Sequence, residues 1–246
     1  MARYQTDFYA KSLARRVTMS LIVPSLNLNE TLSNKDKEYY QNRKEEFPLI
    51  IFLCGFGDNQ KAWINNSNVE SLCEKHKVAA AFIDGENGWY LNNGPISNYY
   101  GFIEDDITDF IYGNFRNVTR NKPLVIAGVS MGGYGALYHY LTNVNKYAAC
   151  IAFSPATKPD FIDESKIGTL ESHFLKQKGK KLNIYLSIGE NDFIIEPSRE
   201  FNNILKKNKV GVEYKFVPEK NHSWDLWKEE IYPAFEYLQK LNIIGE

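Results

Sequence analysis

The apolar run Leu124–Val129 passes through a single serine into a glycine-rich helical run, and this transition constrains the fold more than any other stretch of the sequence. A strand that enters a helix through one residue must make a tight, strained turn. Such a turn is tolerated where the residues two before and two after it carry no side chain. Gly128 and Gly132 occupy those places around Ser130, giving the pattern G-x-S-x-G. Gly133, Gly135 and Ala136 continue the small face, so the helix can lie close against a sheet. Its N-terminus would direct N–H groups and the positive end of its dipole at Ser130. The bare pattern arises by chance in roughly one chain in ten of this length, so the strand-turn-helix context carries the argument.

The rest of the chain supplies a sheet for that turn. β-branched and apolar runs predict strands at 16–23, Leu49–Leu53, 78–83, Leu124–Val129, 147–153, 182–188 and Val212–Val217. Helical patterns fall between them at 99–112, 131–141 and 198–207, and an amphipathic pattern at 224–241 closes the chain. Alternation of this kind predicts a mostly parallel sheet covered on both faces. The continuous apolarity of Leu49–Leu53 marks a buried central strand. Residues 34–46 are charged and read as disordered, and whether 29–46 forms a flap stays open. The connection 154–181 is too short for an independent cap domain, though long enough for a small flap, which predicts a fairly open site.

A length of 246 residues with 43% hydrophobic and 24% charged residues fits one globular domain spanning 1–246. A net charge of −1 leaves no excess of cations for phosphates, which argues against nucleic acid as a partner. No apolar stretch reaches the roughly 18 residues a membrane span needs, and the start lacks the pattern of a secretory leader. Cys54, Cys73 and Cys150 are odd in number and widely spaced, which suggests neither a disulfide framework nor a thiolate metal site and points to the cytoplasm. Self-association as a homo-oligomer is left open.

A serine nucleophile needs a base, and the base needs an orienting carboxylate. Of four histidines, His139 lies roughly 13 Å down the helix from Ser130 at 1.5 Å per residue. His76 and His173 break the order serine, acid, histidine. His222, in the loop between the last strand and the last helix, is the candidate base. The acid should end the preceding strand, where Glu190 and Asp192 both qualify. An oxyanion needs two donors: the Met131 N–H follows the nucleophile, and the glycine-rich loop 54–58 can present the Phe56 N–H. Trp89 and Tyr90, in the loop after a central strand, are candidates to line an acyl or alcohol pocket, a place where simple packing is about as common.

From Gly128 to Ala136 the sequence Gly-Val-Ser-Met-Gly-Gly-Tyr-Gly-Ala resembles the nucleophile turn of the esterase D and tributyrin esterase group of α/β-hydrolases. The likeness extends to Lys11-Ser12-Leu13 leading to Val23-Pro24, to Gly55-Phe56-Gly57-Asp58, Trp63 and Asn87-Gly88-Trp89-Tyr90, and to the run His222 to Trp227. It implies the α/β-hydrolase fold, a mostly parallel central sheet with helices on both faces and no large cap domain. The aspartate of a G-x-x-D turn is the acid in that group, which selects Asp192. Two positions depart: Cys54-Gly55 stands for the usual His-Gly, and Gly88 for a serine. Cys54 as nucleophile is the sharp alternative, but a cysteine that ends an apolar strand is usually a buried small hydrophobe.

The activity implied is hydrolysis of short-chain acyl esters, with aryl or carbohydrate alcohols accommodated, through an acyl-enzyme on Ser130, His222 and Asp192. The partner expected is a small ester, and no metal or organic cofactor is called for. The same triad would also serve an S-formylglutathione hydrolase or an acyltransferase. A non-catalytic binding module is the alternative of another class.

Overall fold

In the computed structural model, which describes residues 1–33, 39, 41–42, 44–160, 162–208 and 212–245, the chain forms one eight-stranded sheet. Residues 34–38, 40 and 43, within the charged stretch read as disordered, lie outside the described residues. The strands are β1 (Ala2–Ala10), β2 (Arg15–Val23), β3 (Leu49–Leu53), β4 (Ala79–Ile83), β5 (Leu124–Val129), β6 (Ala149–Phe153), β7 (Ile184–Gly189) and β8 (Val212–Val217). Their order is β1-β2-β4-β3-β5-β6-β7-β8. β1 and β2 form an antiparallel hairpin that pairs antiparallel with β4, and every pairing from β4 to β8 is parallel.

The helices are α1 (Leu28–Leu32), α2 (Ala62–Asn66), α3 (Val69–Lys75), α4 (residues 99–114), α5 (Met131–Thr142), α6 (Glu164–Ile167), α7 (Leu170–Leu175), α8 (Ile195–Lys207) and α9 (Trp224–Lys240). They cover both faces, and β3 shows why its sequence is apolar throughout. Leu49, Ile51 and Leu53 enter one core with residues of α4, α5, α7 and α8, while Ile50 and Phe52 enter a second with α2, α3 and α9. Burial of each such side chain contributes about 1.5–3 kcal/mol, so a central strand has no place for a polar residue.

Strand β1 was not among the strands predicted from sequence. It is an edge strand whose exposed positions include Arg3, Gln5 and Asp7, so its apolar signal is confined to alternate residues ending in Phe8 and Ala10. The short helices α2 and α3 also carry little periodic signal. Helix α4 was expected as regular and contains a π-helical turn at Phe102–Asp106. Among the described residues the connection 154–181 holds α6 and α7, the latter packed on α5, and no large cap covers the carboxyl ends of the parallel strands.

Candidate active site

The turn at Ser130 is built by main-chain crowding. Ser130 has φ 55° and ψ −114°, a left-handed strain that persists at a residue whose position is fixed from all sides. A Cβ on Gly128 would stand 2.0 Å from the Gly132 carbonyl oxygen, and one on Gly132 would stand 2.4 Å from the Leu53 carbonyl oxygen. Helix α5 can therefore lean onto the ends of β3 and β5 only because both positions are glycine. The Ser130 N–H donates to the Phe153 carbonyl at 2.9 Å, and the Ser130 carbonyl accepts from the Ala156 N–H at 3.2 Å.

The other two side chains come from the loops after β7 and β8, which are laced together. A Cβ on Gly189 would meet the Lys220 carbonyl at 2.3 Å, and the Asn191 N–H donates to that same carbonyl at 2.9 Å. His222 is thereby brought to Asp192: its Nδ1–H lies 3.0 Å from each carboxylate oxygen, and its Nε2 is 2.9 Å from Ser130 Oγ. Asp192 is buried, and one of its oxygens also accepts the Ile194 N–H at 3.1 Å. Glu190 points elsewhere and accepts the Glu219 N–H at 3.0 Å. With Nδ1 donating to Asp192, Nε2 is left as an acceptor for the serine proton, the tautomer a general base requires.

Three side chains at this end of the sheet were given no role from the sequence. The ring of Phe193 lies 4.6 Å from that of His222, and Trp227 meets the imidazole edge-on at 5.0 Å. Trp227 is fixed in turn by donation from Nε1 to Ser154 Oγ at 3.0 Å. The third is Asn87, whose Oδ1 accepts the Gly57 N–H at 2.8 Å and braces the loop after β3. Asn87 and Trp227 stand in runs that carry the resemblance, and Phe193 follows Asp192 directly in the chain.

That loop runs beside the serine: a Cβ on Gly55 would be 3.7 Å from Ser130 Cβ. Among the described residues the Phe56 N–H has no backbone acceptor, and Met131, as the first residue of α5, has no carbonyl one turn behind it. Both N–H groups are thus free to serve an anion beside Ser130. Cys54 lies beneath them as a buried thiol, pushed up to about 11 by burial, with its sulfur 3.4 Å from the Tyr90 hydroxyl. Trp89 is half-buried, its ring edge-on to Tyr134 at 5.7 Å. Tyr90, read from sequence as a pocket-lining candidate beside Trp89, has no exposed surface; it holds the loop from below by donating its hydroxyl to the Cys54 carbonyl at 3.0 Å. His139 is buried away from Ser130 against Glu104. Among the described residues no three His, Cys, Asp or Glu side chains stand together as a metal site would need.

The Esterase family model, described as "Putative esterase", matches residues 37–238. A curated relative, the acetyl esterase of Caldicellulosiruptor saccharolyticus, is 27% identical over 98% of this chain and 100% of its own length. Two Staphylococcus aureus structures share the fold. The fluorophosphonate-binding serine hydrolase FphF superposes with a TM-score of 0.81 at 19% identity, over 96% of this chain and 98% of its own. The S-formylglutathione hydrolase FrmB gives 0.76 at 20% identity over the same shares. A match across most of the sheet and both strand-end loops leaves one assignment: the chain belongs to the Esterase family and is a serine ester hydrolase of α/β-hydrolase fold.

Proposed function

We propose that Ser130, His222 and Asp192 form the catalytic triad of a carboxylesterase acting on short-chain acyl esters. The observation that carries this reading is the hydrogen-bonded chain from Ser130 Oγ through both ring nitrogens of His222 to a buried Asp192. Ser130 Oγ attacks the ester carbonyl carbon while its proton passes to His222 Nε2. The resulting oxyanion is held by the N–H groups of Phe56 and Met131. Collapse breaks the bond to the alcohol, which takes the proton from His222 and leaves. Water then attacks the acyl-enzyme by the same route, releasing the acid and restoring Ser130. Asp192 keeps His222 in the productive tautomer and stabilises its imidazolium form.

The substrate class rests on several observations. The curated relative is an acetyl esterase. Among the described residues no large cap encloses the strand ends to cover a long acyl chain. Phe56 and Phe193, on two sides of the serine, leave much of their side chains exposed, a surface suited to an aryl or sugar-ring alcohol. The partner is a small ester rather than nucleic acid, given a net charge of −1. Among the described residues no helix is long and apolar enough to cross a membrane. The three free buried cysteines fit work in the cytoplasm, which cell fractionation would test.

The decisive experiment measures kcat/KM over p-nitrophenyl esters from acetyl to decanoyl, with Ser130→Ala as control. Acetyl to butyryl esters are expected to react best, since each methylene contributes about 0.8 kcal/mol only while it finds apolar surface. Ser130→Ala is expected to lose about 10⁶-fold in kcat and all labelling by a fluorophosphonate. A maximum at eight carbons or more would overturn the substrate class, and labelling at Cys54 would overturn the nucleophile. A glutathione thioester preferred over every oxygen ester would move the protein to thioester hydrolysis, and acyl transfer to an added alcohol would make it a transferase.

A further inference from the structure

We propose that Glu104 and His139, which the triad does not use, are positioning residues that hold the oxyanion loop through Tyr90. The proposal rests on the reading above that the Phe56 N–H receives the oxyanion.

His139 is completely buried on α5, nine residues beyond Ser130. Each of its ring nitrogens faces an acceptor: Nδ1 is 2.6 Å from Glu104 Oε1, and Nε2 is 2.9 Å from the Tyr90 carbonyl. Glu104 is an ionised carboxylate here. Burial pushes its carboxyl up, but hydrogen bonds and charge from His139 and Lys146 outweigh that and hold it below the usual range. It also accepts the Tyr147 hydroxyl at 2.7 Å and the Lys146 ammonium at 2.9 Å. The Tyr90 carbonyl can only accept, so Nε2 of His139 carries a proton. The ring is stacked on Tyr100 at 4.9 Å.

A buried polar pair of this kind is a poor device for stability alone, because well-packed apolar residues often serve as well. What it grips is informative. Tyr90 has φ 60° and ends a segment in which Glu86, Asn87 and Trp89 also have positive φ, a conformation that non-glycine residues keep only under restraint. Its ring is wedged where a Cβ on Gly85 or on Gly135 would approach within 2.5 Å and 2.6 Å. The carbonyl of Tyr90 is held by His139, and its hydroxyl holds the Cys54 carbonyl at 3.0 Å. Two residues further on, Phe56 presents its N–H. On the far side of Phe56, Asn87 from the same strained segment takes the Gly57 N–H. The nucleophile helix and the oxyanion loop are thus joined by a strut, Glu104 to His139 to Tyr90 to Cys54. Its length sets the distance between Ser130 and the second oxyanion donor, a distance on which catalysis depends steeply.

The test is steady-state hydrolysis of p-nitrophenyl acetate by the full chain carrying His139→Gln, Tyr90→Phe, or both. The glutamine amide can meet one acceptor but carries no charge, and phenylalanine keeps the ring while removing the hydroxyl. Each single variant is expected to lose about 10- to 100-fold in kcat with KM changed less than about threefold. The double variant is expected to lose no more than the worse single one, because both cut the same strut. Affinity for a trifluoromethyl ketone, whose hemiketal oxyanion needs the same N–H, should fall in step with kcat. Wild-type kcat in folded Tyr90→Phe, effects confined to KM, or losses that multiply in the double variant would each overturn the proposal. If His139→Gln does not fold, Tyr90→Phe decides alone through kcat and the ketone. Ser130→Ala separates the two claims: activity surviving that change would sink the triad itself, whereas its loss beside unaffected strut variants would sink only this inference.

Discussion

The two halves of the proposed catalytic apparatus are held in place by different physics. At the centre of the sheet Ser130 is fixed by backbone against backbone, with glycines where any Cβ would strike a carbonyl at 2.0–2.6 Å. At the edge, Asp192 and His222 hang from two loops joined by hydrogen bonds and flanked by aromatic rings, next to β8, whose residues are half-exposed or exposed. The centre tolerates no added atom. The edge has one such close approach, at Gly189, and otherwise depends on the chemistry of each side chain. Central changes should therefore act through geometry and stability together, and edge changes through kcat alone.

Asp192→Asn is the sharpest probe of the edge: an amide would reverse the tautomer of His222 and cut kcat by about 10⁴ with the melting temperature little changed. Glu190→Gln, on the same turn, should change kcat by no more than about twofold, since an amide oxygen can still accept the Glu219 N–H. Equal losses in the two variants would erase the distinction between them. Gly132→Ala tests the centre. Its new Cβ must push the Leu53 and Cys54 carbonyls, 2.4 and 2.6 Å away, so kcat should fall about 10²-fold together with a stability loss of about 1–3 kcal/mol. A loss of kcat at full stability would show that the centre too works by side-chain chemistry. The smallest effect concerns Cys54. Burial holds its thiol at about 11, so iodoacetamide at neutral pH should leave activity unchanged in assays against the untreated enzyme.

The centre was also the more legible half. Strands expected at Leu49–Leu53 and Leu124–Val129 occupy those residues, because strands covered on both faces need unbroken apolar runs. The glycines around Ser130 announce a close approach in any sequence. At the edge, Asp192 and Glu190 stand two residues apart, and which one turns inward depends on the Lys220 carbonyl that the turn meets in space. Only the resemblance to a known group separated them beforehand. β1 escaped notice because Arg3, Gln5 and Asp7 face water and leave a broken pattern. The pairing of His139 with Glu104 was beyond reach for another reason. The two stand 35 positions apart, with a strand and two helical segments between them, and distance along α5 could say only that His139 does not touch Ser130.

The π-helical turn at Phe102–Asp106 has a consequence for how this region could change over generations. A π turn accommodates one extra residue, so everything after it is out of phase with everything before it by about 100°. Upstream, Tyr99 and Phe102 face the core; downstream, Ile107 and Ile111 face it as well, and Glu104 is aimed at His139 between them. A regular α-helix through the same residues could not satisfy both sets. Losing one residue here would restore a straight helix and rotate Glu104 off its partner in a single step. Insertion and deletion, more than substitution, are thus the natural route by which a lineage would gain or lose the buried contact between Glu104 and His139.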